Sequence, residues 1–398
     1  MPDRMTPTEL RAAVSLSGIF GLRMLGMFVI LPVFAIYAES LPGGDNLTLV
    51  GIAIGVYGLT QACLQIPFGW WSDRYGRKRV IYVGLAIFAA GSFVAALGSH
   101  IYVVILGRML QGAGAISAAV MAMTADLTRD QHRAKAMAMI GSTIGMTFAA
   151  SLVLSPWLNR VIGVPGIFVM TGLLVLSAMW VVYALVPDVP EPAPATDARG
   201  LDAFTSAFRD PQLSRLYYGV FALHAVLMAL FIAVPLDLRA AGLAVDQHWQ
   251  VYLPVMAGSF VLMLPAILYV RKGAGLRALF IGAIATLLLV QAAMPALAGS
   301  AWTIGAYLLV FFTAFNLLEA HLPTLVSRIA PAASRGVAIG IFASLQFLGT
   351  FFGAVAGGYL YERWGTAGVV IFDAALIVIW LWAAAGTRIS EAGGQHRV

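Results

Sequence analysis

The amino-acid sequence predicts an all-α membrane protein, with twelve transmembrane helices in two six-helix bundles related by a pseudo-two-fold axis. Three observations carry that expectation. Of 398 residues, 61% are hydrophobic and 11% charged, whereas a soluble domain has about 45–50% and about 25%. No core could absorb that excess, so the solvent for most of the chain is lipid. The apolar residues form continuous runs of about 20, the length a helix needs to cross a bilayer. Only helices or closed barrels satisfy every backbone group in lipid, and these runs lack the period-2 alternation of a barrel. Finally, features of the first half recur about 200 residues later.

Runs bounded by charge, proline and glycine place the first six spans at 13–38, 48–71, 80–98, 101–125, 135–157 and 164–186. The second six follow at 213–236, 248–270, 277–297, 301–327, 335–360 and 366–386. An even number puts both termini on one side. Nineteen of the 24 lysines and arginines fall on that side. The outer loops hold Arg160, Arg239 and Arg363, while Arg23 and Arg108 lie within spans. The positive-inside rule therefore puts both termini in the cytoplasm. It also accounts for the net charge of +6 without a nucleic-acid partner. The first run is too long for a cleaved signal and no small-residue cleavage site follows it, so it is expected to serve as a signal-anchor. Cys63, alone in the chain, allows no internal disulfide and is expected to be a small buried filler of the second span.

Residues 1–186 are expected to form an N-terminal bundle, 187–212 a cytoplasmic linker and 213–398 a C-terminal bundle. Pro187, Pro190, Pro192 and Pro194 give the linker a stiff, extended start. Leu201, Phe204, Ala207 and Phe208 then share one helical face, which suits a short amphipathic helix lying on the membrane surface. The two bundles repeat one another. Leu31-Pro32 corresponds to Val234-Pro235, Ile66-Pro67 to Leu264-Pro265, and Arg133 to Arg335. Ser151-x-x-x-Ser155 corresponds to Gly353-x-x-x-Gly357. Four pairs at offsets of 198 to 203 argue for a duplication. Two such bundles place a substrate site at their interface near the midplane.

Between the second and third spans lies Gly69-Trp70-Trp71-Ser72-Asp73-Arg74-Tyr75-Gly76-Arg77-Lys78-Arg79, a strongly charged turn at the edge of the bilayer. Gly69 lets a neighbouring helix approach closely. Asp73, at a helix end, would be stabilised by a nearby helix N-terminus. Arg77 needs a carboxylate, and Asp126 at the end of the fourth span is the best placed. Arg74, Lys78 and Arg79 are read as topology determinants.

With Gly69, Asp73, Arg74, Gly76, Arg77 and Lys78, the turn supplies every position of the loop G-x-x-x-D-R-x-G-R-K/R, and the chain resembles the major facilitator superfamily over essentially its whole length. Arg108, Gln111 and Gly112 resemble that family's R-x-x-Q-G motif in the fourth span. The family's antiporter motif ends Gly-Pro-x-x-Gly-Gly. Here Ser151, Ser155 and Pro156 keep its small residues and proline, but Trp157, Leu158 and Asn159 depart from it. Within the drug/proton antiporter-like branch, the chain looks like the bacterial YajR-type transporters, without a soluble C-terminal domain. The resemblance implies a bacterial inner-membrane location. It also implies that the helix N-terminus facing Asp73 is that of the eleventh span, near Gly336, so that Gly69, Asp73, Arg77, Asp126 and Gly336 gate the cytoplasmic side. Arg108 would take part in proton transfer, or act as a buried helix-to-helix donor. The corresponding stretch of the second half, 267–277, has Arg271 where Asp73 would be, so a single copy of the clamp is expected.

Polar residues inside the membrane are costly and mark function by default. Glu319 is the best candidate proton carrier, because burial favours the neutral carboxyl and a nearby cation the charged one. The alternatives are a static ion pair with Arg23 or a hydrogen bond to His321. Arg23, His224 and His321 are further proton-coupling candidates, the two histidines otherwise being singly hydrogen-bonded. Asp373 is a weaker candidate that could simply face a polar neighbour. Gln61, Gln65, Asn316, Gln346, Tyr57 and Phe231 are candidates for lining a cavity, as are Phe28, Phe34, Phe315 and Phe347 if they face inward; for Gln61 and Gln65 the alternative is hydrogen bonding between helices.

The six histidines are scattered, there is no cysteine pair, and no Walker A lysine motif, nucleophile elbow or zinc-protease motif occurs. No metal, no cofactor and no enzymatic activity are expected; a proton gradient would supply the energy. The expected function is proton-coupled efflux of a small hydrophobic or drug-like compound by alternating access. A symporter or uniporter of a polar metabolite is the alternative within the fold, and a membrane sensor or intramembrane enzyme the alternative outside it. The expected partners are a small-molecule substrate, protons and the lipid bilayer, with the protein a monomer.

Overall fold

The first helix begins where the sequence provides a capping box. Thr6 accepts from the Glu9 backbone N–H at 3.2 Å, and Glu9 accepts from the Thr6 N–H at 2.7 Å, satisfying two of the donors that a helix start leaves free. A computed structural model of the chain describes residues 4–188, 200–269, 273–297, 299–331 and 334–387. Among these residues the secondary structure is helical, with no strands. Two compact units divide the chain, Met1–Asp197 and Ala198–Val398.

The N-terminal unit contains α1 (Pro7–Phe28), α2 (Leu31–Ala38), α3 (Leu47–Tyr75), α4 (Arg77–Ala96), α5 (Ile101–Ala113), α6 (Ser117–Asp126) and α7 (Asp130–Leu185). The C-terminal unit contains α8 (Gly200–Arg209), α9 (Pro211–Ala240), α10 (Trp249–Tyr269), α11 (Gly273–Leu297), α12 (Ala301–Ile329) and α13 (Arg335–Ala385). Ten helical stretches among the described residues are long and apolar enough to cross a membrane. Two of these, α7 and α13, run for 56 and 51 residues. At about 1.5 Å per residue, each is more than twice a hydrocarbon thickness of about 30 Å. Each is two helices meeting at a kink, at Gly163 (φ 66°) and Gly365 (φ 58°). A side chain disfavours that left-handed backbone and glycine does not.

The spans expected at 135–157 and 164–186 are therefore joined through a glycine rather than separated by a loop, and so are those at 335–360 and 366–386. The reverse holds elsewhere. The span expected at 13–38 breaks at Val29–Ile30 between α1 and α2, and that at 101–125 breaks between α5 and α6. Pro32, in the first turn of α2, has no N–H to continue the α1 ladder. Its counterpart Pro235 sits inside an unbroken α9.

The repeat extends to the backbone. Among the positive-φ glycines, Gly43 and Gly242 lie 199 residues apart, and Gly163 and Gly365 lie 202 apart. In each unit the first long helix packs chiefly on the long kinked one, α1 on α7 and α9 on α13. The second of these contacts needs glycine. A Cβ on Gly349, Gly353 or Gly357 would stand 2.3 Å from Phe221 O, 2.0 Å from Ala225 O and 2.7 Å from Ala229 Cα. In the N-terminal unit the small residue sits on the partner instead, since a Cβ on Gly21 of α1 would lie 2.5 Å from Thr143 Cγ2 of α7.

Cys63 is exposed, not a buried filler. It shares an outward stripe of α3 with Ile66 and Trp70, at helical spacing. In α8, Ala207 is buried while Phe204 and Phe208 are exposed and stacked. Pro190, Pro192, Pro194, Arg199, Arg271, Lys272, Arg388 and Arg397 lie outside the described residues, as does the side chain of Leu201.

Candidate functional site

Gly76, with φ 93°, turns the chain between α3 and α4, and the turn delivers Arg77 to the end of α6. Arg77 Nε donates to Asp126 Oδ2 at 3.0 Å. Its Nη1 donates to Ser72 Oγ at 2.9 Å and to the Asp73 carboxylate one turn back. The Arg77 side chain is 12% exposed, against 47% for Asp73 and 33% for Asp126, so the cation is the sheltered partner between two wetter acids. The other basic residues do different work. Arg74 lies over the Trp70 ring and Lys78 pairs with the exposed Asp188. Within this unit Gly69 is met by Ala118 Cβ at an ordinary 3.4 Å, so its own neighbours do not require glycine there. Gly336 lies in the first turn of α13, in the other unit.

Two arginines are fully buried in the N-terminal unit, and each reaches the helix break of the other's span. Arg23 of α1 donates from Nε to Gly114 O at 3.1 Å, where α5 ends, from Nη1 to Ser117 Oγ at 3.2 Å, and to Gln61 of α3. Arg108 of α5 donates from Nη1 to Gly26 O at 3.3 Å, in the last turn of α1, and to Gln111 Oε1 at 2.8 Å. Its Nε and Nη2 point to the α3 carbonyls of Ala53 and Ile54. Helix ends leave carbonyls without intrahelical partners, and these guanidinium groups supply donors there. The Tyr57 ring lies under both cations. Gln61 and Gln65 bond to each other and are buried, and Gln111 donates to Ser92 Oγ of α4 at 2.8 Å. For Arg108 the arrangement is that of a helix-to-helix donor.

In the C-terminal unit, Glu319 of α12 meets His224 of α9 and Gln346 of α13. Gln346 Nε2 lies 3.3 Å from Glu319 Oε1 and 2.8 Å from His224 Nε2. His224 Nε2 is 3.6 Å from Glu319 Oε2. His224 Nδ1 faces Val220 O at 3.0 Å, which assigns its proton to Nδ1 and leaves Nε2 as the acceptor of the neutral ring. His321 Nδ1 bonds to Leu317 O in its own helix, and Arg23 directs its donors within its own unit. Asn316 donates to Ser259 Oγ of α10 at 3.1 Å. Phe231 is buried, and Phe315 packs edge-on to His224. Asp373 accepts from Gln291, which accepts from Tyr307.

Two carboxylates escape the reading of the sequence. Asp237, at the end of α9, accepts from Tyr361 and Thr366 on either side of the Gly365 kink, at 2.9 and 3.0 Å. Glu9 accepts from Arg129 at Nε, at Nη2 and at its backbone N–H. Thr6-x-x-Glu9 carried a signal, the capping box, whereas Asp237 carried only its place near a proline.

Helical units built on one repeated plan, with long apolar spans and buried charged groups, define a polytopic membrane protein. A family model described as Major Facilitator Superfamily matches residues 16–354. The chain belongs to that superfamily. It is 41% identical over 382 residues to "Inner membrane transport protein YajR" of Escherichia coli (strain K12), covering 96% of this chain and 84% of the relative. A shorter match, 31% over 137 residues and 34% of each chain, is to "Multidrug resistance protein 2" of Bacillus subtilis (strain 168). Among solved structures, the D-xylose-proton symporter superposes with a TM-score of 0.76 at 14% identity, covering 97% of this chain and 99% of that one; at that identity the likeness is one of fold.

Proposed function

We propose that this superfamily transporter works by alternating access and exports a small, largely apolar compound in exchange for protons. The observation that carries the proposal is Glu319 among His224 and Gln346, on three helices, with Glu319 Oε2 lacking a hydrogen bond. A proton passing from Glu319 to His224 would turn a neutral contact into an ion pair, so protonation and local packing are linked. The multidrug-resistance name of the Bacillus relative, matched over 34% of each chain, supports a drug-like cargo. The proton gradient is the energy source, no cofactor takes part, and the protein acts as a monomer in a bacterial inner membrane with both termini in the cytoplasm. A polar metabolite is the competing cargo, and the scarcity of charged residues within the spans weighs against it.

The cargo class is tested by thermal stability of the purified protein against a panel of compounds. Binding stabilises by RT ln(1 + [L]/Kd), about 2.7 kcal/mol at 100 times Kd. Largely apolar compounds are expected to raise the melting temperature and sugars or nucleosides to leave it unchanged. The opposite ranking would favour the metabolite reading.

In the same account Asp73, Arg77 and Asp126, with Gly69 and the first turn of α13 at Gly336, hold the cytoplasmic side closed. Asp126→Asn removes the charge that Arg77 Nε meets at 3.0 Å. It is expected to shift the population toward inward-open, read as longer spin-label distances between the cytoplasmic ends of the two units. Unchanged distances would return the turn to a topological role.

A further inference from the structure

We infer that Glu9 and Arg129 are positioning residues for the gate, holding the last turn of α6 so that Asp126 meets Arg77. Arg129 sits three residues after Asp126, as the N-cap of α7. The link between them is only Leu127 and Thr128, and Thr128 Oγ is itself fixed to Thr124 O at 2.6 Å. Whatever fixes Arg129 therefore fixes the end of α6 almost rigidly.

Glu9 fixes it strongly. Arg129 Nε donates to Glu9 Oε1 at 2.8 Å, Nη2 to Oε2 at 2.9 Å, and the Arg129 backbone N–H to Oε1 at 3.0 Å. A guanidinium fork on a carboxylate is specific in direction as well as strong. The Glu9 side chain is 8% exposed, so water competes little for it. Glu9 also accepts the Thr6 N–H, and Arg129 Nη2 donates to Arg4 O at 3.2 Å, which ties the start of α1 into the same knot. On the other side of the link, Arg133 Nη2 donates to Ala125 O at 3.3 Å, the carbonyl next to Asp126, while pairing with Asp130. The last turn of α6 is thus strapped from both sides. Arg129 is itself 42% exposed, but a surface pair kept only for topology would need neither the sheltered carboxylate, nor the fork, nor the backbone donor.

The inference rests on the gate proposed above, and the experiment separates the two. Spin labels are placed at exposed positions by Arg79→Cys and Ala278→Cys in a Cys63→Ser background, in the full-length protein in lipid. Distances are compared for Glu9→Gln, Arg129→Lys, Asp126→Asn and the Glu9→Gln/Asp126→Asn pair. Glu9→Gln is expected to lengthen the distances as Asp126→Asn does, with no further shift in the double variant, because one act precedes the other. Arg129→Lys keeps the charge but not the fork and is expected to give a smaller shift in the same direction. Exchanging the charges, Glu9→Arg with Arg129→Glu, is expected to recover part of the wild-type distribution. Wild-type distances in both Glu9→Gln and Arg129→Lys, with Asp126→Asn shifted, would overturn the inference and leave the gate standing. Additive shifts would overturn it too, since the pair would then act elsewhere. Wild-type distances in Asp126→Asn would overturn the gate, and the inference with it.

Discussion

Glu319→Gln is expected to abolish substrate-driven proton movement, to the level of protein-free liposomes, while the protein stays folded and still binds its cargo. Glutamine has the shape of glutamate, and its amide can keep a hydrogen bond with Gln346, 3.3 Å away in the wild type. What it cannot do is take up or release a proton. Removing a carrier stops coupled transport rather than scaling it, which is why this is the largest functional effect expected of any single change. His224→Gln is expected to slow the same signal without erasing it, because in the proposed scheme His224 would receive the proton from Glu319 rather than bring it. The check is a pH-sensitive dye inside proteoliposomes, with binding followed separately by thermal shift. A variant that loses binding as well would point to Glu319 as a cargo contact instead.

Gly353→Val is expected to destabilise the fold more than any polar change discussed above. The position a Cβ would take lies 2.0 Å from Ala225 O and 2.5 Å from Ala225 Cα. Both are backbone atoms, so no rotamer change relieves the clash and α9 must move away from α13. In lipid, helices associate by close packing of small residues rather than by the hydrophobic effect, so separation removes the attraction itself. Overpacking a core costs about 1–3 kcal/mol, and this site belongs at the upper end of that range or beyond. Gly340→Ala is the control: nothing lies within 4 Å of its Cβ position, and alanine favours a helix by up to about 1 kcal/mol. Melting temperatures in detergent should fall for the first and hold or rise for the second. Equal behaviour would mean that α9 and α13 do not pack this closely.

The sequence announces its helices because an apolar run of bilayer length has few other uses, and the turn at Gly69–Arg79 announces Arg77 because a cation at a span's edge needs an acid. Asp126 was findable as that acid from topology alone. The glycine joints at Gly163 and Gly365 were not, since an apolar run through a glycine reads like any gap between two spans. The breaks at Val29–Ile30 and around Gly114 are equally silent. They make sense only with Arg108 and Arg23 seen against them, across 82 and 91 residues of chain. Glu319 stood out by its cost in the membrane, yet its partners His224 and Gln346 come from helices brought together by packing. Glu9 is silent for another reason: a basic residue such as Arg129 on the cytoplasmic side satisfies the positive-inside rule without any partner.

Whether cargo movement is coupled to protons is read from wild-type protein in proteoliposomes. An imposed pH gradient is predicted to drive a compound that stabilises the protein across the membrane against its own gradient, with protons moving the opposite way, and a protonophore is predicted to stop both. Cargo that crosses only down its own gradient, at a rate that ignores the pH difference and the protonophore, would contradict the account.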